Sequence, residues 1–127
     1  MIKMVKKNIF SLIIAIVILF LSFARAETFS EVNVFGLQHL DKLVHFAMYF
    51  TLTMVLLFEN RLIIKNAKSL LILSVIPFIF GSLIEILQSW LTVSRKGDFF
   101  DALINLIGII GAATTWWLYQ NFSKKEN

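Results

Sequence analysis

Four long apolar stretches, separated by short segments that carry most of the charged residues, dominate the hydrophobic pattern of the chain. They span residues 9–24, 43–58, 69–92 and 99–119. A transmembrane helix needs about 20 consecutive, mostly apolar residues. The pattern therefore predicts an all-α membrane domain of four transmembrane helices that occupies residues 1–127. The second stretch is short, and we expect its helix to begin earlier, at Asp41 and Lys42, because a lysine side chain can extend to the membrane surface.

The composition agrees with a lipid environment. Apolar residues make up 58% of the chain and charged residues 16%, whereas soluble proteins contain about 25% charged residues. A net charge of +4 could indicate a nucleic-acid-binding protein, but the basic residues flank the apolar stretches and the sequence has no basic helix with an aromatic platform. We therefore expect the lipid bilayer, and no nucleic acid, as a partner.

The distribution of basic residues predicts the orientation of the helices. Eight of the twelve lie before the first stretch, between the second and third, or after the fourth: Lys3, Lys6, Lys7, Arg61, Lys65, Lys68, Lys124 and Lys125. Loops rich in lysine and arginine stay on the cytoplasmic side. Both termini are thus expected in the cytoplasm, with Trp116, Trp117 and Tyr119 as an inner aromatic anchor and Trp90 near the outer rim.

The first apolar stretch has a second interpretation. Lys6 and Lys7 precede it and Ala24-Arg25-Ala26 follows it, an arrangement similar to a secretory signal peptide with its cleavage site. We expect the segment to stay attached, because Arg25 weakens the cleavage site. Cleavage would leave three helices with the same orientation.

Polar residues recur along one face of each of the last three predicted helices. The second carries Asp41, His45 and Tyr49 at spacings of four, which places them on one helical face. The third carries Ser74, Gly81, Glu85, Gln88 and Thr92, and the fourth Asp98, Asp101, Asn105, Gly108, Ala112 and Thr115. Gly81, Gly108, Gly111 and Ala112 are expected to let the helices approach closely.

These faces predict a polar cluster near the outer membrane surface. Its candidate members are Asp41, Lys42, His45, Tyr49, Glu85, Gln88, Arg95, Asp98, Asp101 and Asn105. A charged Glu85 inside the membrane costs about 2.5–3.5 kcal/mol unless it has a partner or water. One interpretation is a structural network in which Arg95 or Lys42 neutralises Glu85 and Asp101. The other is an outward-facing pocket for a polar headgroup, in which His45, Glu85 and Asp101 are the candidate catalytic residues. No metal or other cofactor is expected.

Four motifs from this cluster occur in a defined order along the chain. They are Asp41-Lys42-Leu43-Val44-His45-Phe46 with Tyr49, Ile84-Glu85-Ile86-Leu87-Gln88, Ser94-Arg95-Lys96-Gly97-Asp98-Phe99-Phe100-Asp101, and Asn105-Leu106-Ile107-Gly108. Together they resemble the VanZ-like family, whose pattern reads Asp-Lys-x-x-His-Phe-x-x-Tyr, Glu-x-x-Gln, and Arg-x-x-Asp-x-x-Asp-x-x-x-Asn-x-x-Gly. The resemblance covers about residues 40–117.

The resemblance implies a bacterial membrane protein of four helices in the cytoplasmic membrane, acting at the cell envelope. The family is named for resistance to the glycopeptide teicoplanin, and it supplies no established reaction. Three functions remain open: a protein that binds an amphipathic or lipid-linked ligand, a membrane-embedded hydrolase or transferase acting on a lipid headgroup or envelope precursor, and a structural subunit of a membrane complex.

Overall fold

The computed structural model describes residues 2–28, 40–91 and 99–125. The described residues form five α-helices: α1 (Ile2–Lys7), α2 (Ile9–Thr28), α3 (Leu40–Glu59), α4 (Ala67–Leu91) and α5 (Phe99–Lys125). They contain no β-strand. The predicted all-α architecture is therefore confirmed, and α3 includes Asp41 and Lys42 as expected. The sequence analysis did not predict α1, and it ended the last helix at Tyr119, although α5 continues to Lys125.

Three of the helices are long and apolar enough to cross a membrane. The qualifying segments are Lys42–Glu59, Ala67–Gln88 and Phe100–Lys124. In α2 the apolar segment Ile9–Phe23 is shorter. The long apolar helices support a membrane protein, and many of their large hydrophobic side chains face outward, including Leu71, Ile79 and Ile110.

The contacts between the helices define two ends of the bundle. Residues 60–66 connect α3 to α4, and we call this side the hairpin end. The opposite side, where α3 and α5 begin and α4 finishes, is the distal end. His45 contacts Asn105 near the starts of α3 and α5, and Leu57 packs with Trp116 further along both helices, so these two helices run parallel. They form the most extensive interface of the bundle, and α4 runs antiparallel to both.

Two hydrophobic clusters fill the interior. One joins Ile18, Tyr49, Leu52, Ile84 and Ile109, so it draws on each of the four long helices. The second lies at the hairpin end, where Leu57, Ile64, Leu70, Leu73 and Trp116 pack together. Trp116 was expected at the membrane interface, but it is 5% exposed. It belongs to the core because it faces α3 and α4, whereas Trp117 and Tyr119 are exposed.

Hydrogen bonds fix where α4 begins. The Asn66 side chain accepts a bond of 2.9 Å from the Ser69 backbone N–H, and the Ser69 hydroxyl accepts one of 3.2 Å from the Asn66 N–H. This reciprocal arrangement satisfies donors that a helix leaves unpaired at its amino-terminal end. These two hydrogen bonds explain why α4 begins directly after residues 60–66.

Polar contacts hold both ends of α2 against the bundle. The Glu59 carboxylate, at the last residue of α3, accepts bonds from the Phe10 N–H at 2.8 Å and the Ser11 N–H at 3.2 Å, and also from the Ser11 hydroxyl. A carboxylate at this position pairs with the free N–H groups and the positive dipole end of α2. At the distal end, the Gln88 side chain donates to the Ser22 carbonyl at 2.7 Å.

Two glycines allow the closest helix contacts, as the sequence predicted. A Cβ atom added to Gly108 of α5 would lie 2.8 Å from the backbone oxygen of Phe46 in α3. A Cβ atom on Gly81 of α4 would lie 2.8 Å from Cε1 of the Tyr49 ring. Helix backbones can approach this closely only where a side chain is absent. Both glycines therefore set the geometry of the distal half of the bundle.

Candidate functional site

Six predicted site residues are buried at the distal end, and we call them the polar cluster. They are His45 and Tyr49 of α3, Glu85 and Gln88 of α4, and Asp101 and Asn105 of α5. The most exposed of them, Glu85, is 8% exposed. Ionisable side chains are rarely buried to this extent, least of all in a small bundle with so apolar a surface. The cluster is therefore the candidate functional site.

A hydrogen bond between α3 and α5 connects two members of the cluster. His45 Nδ1 and Asn105 Oδ1 are 3.2 Å apart. With the proton on Nδ1, the imidazole donates to the amide oxygen, and the lone pair is on Nε2. A partner on one ring nitrogen fixes the orientation and tautomer of a histidine, which is a requirement for acid–base chemistry.

Tyr49 links the cluster to α4. Its ring packs on Gly81, so close that an added Cβ atom would lie 3.1 Å from the hydroxyl oxygen. Glu85 follows Gly81 by one helical turn, so it lies on the same face of α4 that packs on Tyr49. Below this contact, the Thr53 hydroxyl donates to the Tyr49 carbonyl at 2.7 Å, so it needs no other partner. The phenol and the carboxylate thus occupy the same buried region between α3 and α4.

The structure adds Ser22 of α2 to the site, a residue that the sequence analysis missed. Gln88 reaches the Ser22 carbonyl, and the Ser22 side chain is 2% exposed. A signal was present in the sequence, since Ser11, Ile18 and Ser22 recur at spacings of seven and four and therefore share one helical face. All three are buried. Helix α2 thus contributes to the site, which the sequence analysis had assigned to the last three helices.

Asn105 and Ser22 each have a buried side-chain atom with no hydrogen-bond partner among the described residues. The two atoms are the side-chain nitrogen Nδ2 of Asn105 and the hydroxyl oxygen of Ser22. An unsatisfied buried donor or acceptor costs about 1–3 kcal/mol. Such groups in a folded protein call for water, an ion or a ligand to complete them. The site therefore has hydrogen-bonding capacity that its own described side chains do not use.

The remaining predicted residues lie at the edge of this site or beyond the described part of the chain. The Lys42 ammonium sits 5.2 Å from the centre of the Phe100 ring, a cation–π contact between the starts of α3 and α5. Asp101 lies in the first turn of α5, where the helix dipole favours a negative charge. The side chain of Asp41, and residues Arg95 and Asp98, lie outside the described residues, so the predicted pairing of Arg95 with Glu85 and Asp101 stays a prediction.

One member of the predicted polar faces is misplaced. Thr115 was grouped with Asp101 and Asn105, but it is exposed at the hairpin end. Its hydroxyl donates to the Gly111 carbonyl at 2.8 Å within α5. Because this bond within α5 already pairs the Thr115 hydroxyl, the residue needs no partner on another helix and can lie on the surface.

The chemistry available in the cluster is hydrogen bonding and proton transfer. Among the described residues, no three histidine or carboxylate side chains gather as a metal site would require. The donors and acceptors are those of an imidazole, a phenol, two carboxyl groups and two amides. Such a set can exchange hydrogen bonds and protons with a polar group.

Comparison of the chain with protein-family models found no match, and comparisons with curated proteins and with solved structures found no significant similarity.

Proposed function

We propose that this chain is a VanZ-like membrane protein of the bacterial cell envelope, whose polar cluster binds the polar part of an amphipathic or lipid-linked ligand. The observation that carries the proposal is the Asn105 amide nitrogen, which is buried beside His45 and has no hydrogen-bond partner among the described residues. A purely structural network would gain by pairing this donor. A ligand hydroxyl, carbonyl or phosphate oxygen is its natural complement.

The proposal includes four membrane-spanning helices, with α2 as the fourth. The segment Ile9–Phe23 is short for a span, but α2 is held at both ends by Glu59 and Gln88. Ile18 in its middle belongs to the same hydrophobic cluster as Tyr49 and Ile84. These contacts support a helix that runs the length of α3 and α4.

The proposed orientation has the distal end facing outward, so that the site opens to the envelope. The hairpin end carries exposed lysine side chains from α1, from the connection between α3 and α4, and from the end of α5, namely Lys3, Lys6, Lys7, Lys65 and Lys124. Basic residues concentrated at one end mark the cytoplasmic side. Both termini are then cytoplasmic, in the cytoplasmic membrane of a bacterium.

The second candidate function is a membrane-embedded hydrolase or transferase. The contact of His45 with Asn105 favours it, because an oriented imidazole can remove a proton from a hydroxyl or water. Glu85 or Asp101 would be the acidic partner. The third candidate, a structural subunit, is favoured by the bond from Gln88 to Ser22, which fixes the position of α2 with no ligand.

Binding can be tested with purified protein in detergent, with a polyprenyl phosphate and teicoplanin as probes and thermal unfolding as the readout. We expect a probe to stabilise the wild-type protein, and Asn105→Ala to abolish this stabilisation. Asn60→Ala is the matched control: Asn60 is also a buried asparagine, and it donates to the side chain of the distant Asn8 at 2.7 Å, but at the hairpin end. Asn60→Ala should lower the unfolding temperature and keep the response to the probe.

The three functions differ in outcome. Turnover of the polyprenyl phosphate that disappears in His45→Gln, while binding remains, would favour the enzyme. An equal response of the Asn105 and Asn60 variants to both probes, or no response of the wild-type protein to either, would contradict a ligand site in the polar cluster. The structural subunit would then be the better explanation.

A further inference from the structure

A groove at the hairpin end lies between α3 and α5, on the opposite side of the membrane from the polar cluster. Its volume is about 570 Å³. Met54 and Phe58 form its apolar wall, and its polar lining includes Arg61, Trp116, Tyr119 and Gln120. The groove therefore combines an apolar surface with several side chains that donate hydrogen bonds.

Arg61 supplies a positive charge at the mouth of this groove. Its guanidinium lies 4.6 Å from the centre of the Phe58 ring, and Nη1 donates to the Phe58 carbonyl at 3.0 Å. These contacts hold the side chain against the groove. The neighbouring carboxylate, Glu59, is engaged by α2 through both of its oxygens. Among the described residues, no acidic side chain forms an ion pair with Arg61, so its charge is available to an anion.

Trp116 lines the groove and carries a buried donor. The residue is 5% exposed, and its indole Nε1 has no hydrogen-bond partner in the described part of the chain. A buried indole N–H normally has a partner. Gln120 is also only weakly engaged, since its Nε2 is 3.5 Å from the Ile64 carbonyl oxygen. The lining of the groove thus includes a cation, the Arg61 guanidinium, and an unpaired donor, the Trp116 indole N–H. Both can donate hydrogen bonds to an acceptor oxygen.

We infer that this groove binds an anionic phospholipid of the leaflet at the hairpin end. The phosphate accepts hydrogen bonds from the Arg61 guanidinium, whose planar array of donors matches phosphate oxygens. The Trp116 indole and the Gln120 amide donate to the remaining oxygens of the headgroup. An acyl chain lies along Met54 and Phe58.

A lipid fits the groove better than a soluble anion does. The groove is formed by the membrane-spanning segments Lys42–Glu59 and Phe100–Lys124, near the ends at which both reach the surface. Its apolar wall would be an unfavourable surface for a hydrated ion, whereas acyl chains bind there at no cost in hydration. Basic pockets between transmembrane helices are known sites for anionic headgroups.

The inference predicts selective retention of phosphatidylglycerol over phosphatidylcholine. We would measure both lipids by native mass spectrometry of the full chain released from mixed micelles. Arg61→Gln should weaken phosphatidylglycerol binding about tenfold, as expected for loss of a charge-assisted hydrogen bond. Lys65→Gln is the matched control, because Lys65 is exposed in the same connection but does not line the groove. It should bind as tightly as the wild-type protein.

Trp116→Phe keeps the apolar ring and removes the indole donor, so it should also weaken binding, by a smaller factor. Equal losses in Arg61→Gln and Lys65→Gln would overturn the inference, because they would indicate general attraction of lipid to a basic surface. Binding of inorganic phosphate that competes fully with phosphatidylglycerol would also overturn it, in favour of a site for a soluble anion. So would a dimer that Arg61→Gln converts to monomer with no change in lipid retention, since a second copy would then occupy the groove.

Discussion

Replacement of Gly108 by alanine tests whether backbone contact between α3 and α5 sets the geometry of the site. The new Cβ atom would lie 2.8 Å from the Phe46 oxygen and 3.3 Å from the Phe50 nitrogen, whereas ordinary contact begins at 3.4 Å. Both neighbours are backbone atoms of a helix and cannot rotate away. The two helices must therefore separate locally to accept a single methyl group.

Gly111 provides the control, because it lies one turn further along the same helix. A Cβ atom there would lie 3.6 Å from the nearest atom, Cδ2 of Phe50, which is normal packing. Both substitutions gain the same helix propensity, about 0.8–1.0 kcal/mol for glycine to alanine. The difference in stability between the two variants thus isolates the steric effect. Overpacking typically costs about 1–3 kcal/mol, so Gly108→Ala should be less stable than Gly111→Ala by about that amount.

The measurement is the free energy of unfolding of each variant in detergent micelles, with the wild-type protein as reference. Gly111→Ala should be as stable as the wild-type protein or slightly more so. Separation of the helices at Gly108 should also stretch the contact of His45 with Asn105, now 3.2 Å, and so weaken ligand binding. Stabilities of the two alanine variants within about 0.5 kcal/mol of each other would refute the close backbone contact.

Further predictions concern topology, processing and charge. A phosphatase fused after Lys125 should be inactive and one inserted within residues 29–39 active, and the reverse pattern would contradict the proposed orientation. Mass spectrometry should find the whole chain of 14.6 kDa, because α2 is part of the core; a chain that starts at residue 27 would contradict this. Glu59→Ala should lower the free energy of unfolding by about 1–2 kcal/mol, as the end of α2 loses its acceptor, whereas no loss would mean that α2 is held by apolar packing alone. Glu85→Gln and Arg95→Gln should each be strongly destabilising, and the double variant should cost much less than their sum; additive effects would show that the two residues are not paired.

The apolar stretches were sufficient to predict the last three helices, and the recurring polar residues grouped six side chains that are buried at one end of the bundle. Glu85, Gln88 and Asn105 are each buried at one end of the bundle, because residues at helical spacing share a face that the apolar exterior cannot accommodate. Gly81 and Gly108 were likewise assigned to close contacts from their place on these faces. Such periodic patterns predict the structure well, because helix geometry alone determines which residues share a face.

Single contacts between helices that are far apart in the sequence could not be predicted in this way. Nothing in the sequence around Glu59 indicates that its carboxylate accepts three hydrogen bonds from α2. Serine in an apolar stretch is common, so Ser11 and Ser22 were unremarked. The choice of Trp116 for the core and Trp117 for the surface depends on the rotation of α5, which the pattern of three neighbouring aromatic residues leaves undetermined.

The short apolar segment of α2 has a consequence for a membrane that this helix spans, as proposed above. The apolar segment Ile9–Phe23 would be about 23 Å long at 1.5 Å per residue, whereas the hydrocarbon core of a bilayer is about 30 Å thick. Because Glu59 and Gln88 hold α2 at opposite ends, the helix cannot slide to relieve this hydrophobic mismatch. With α2 as the proposed fourth span, the bilayer would become thinner beside it. Lipids on that side would bring their headgroups closer to the membrane centre, and the protein should be most stable in bilayers of short acyl chains.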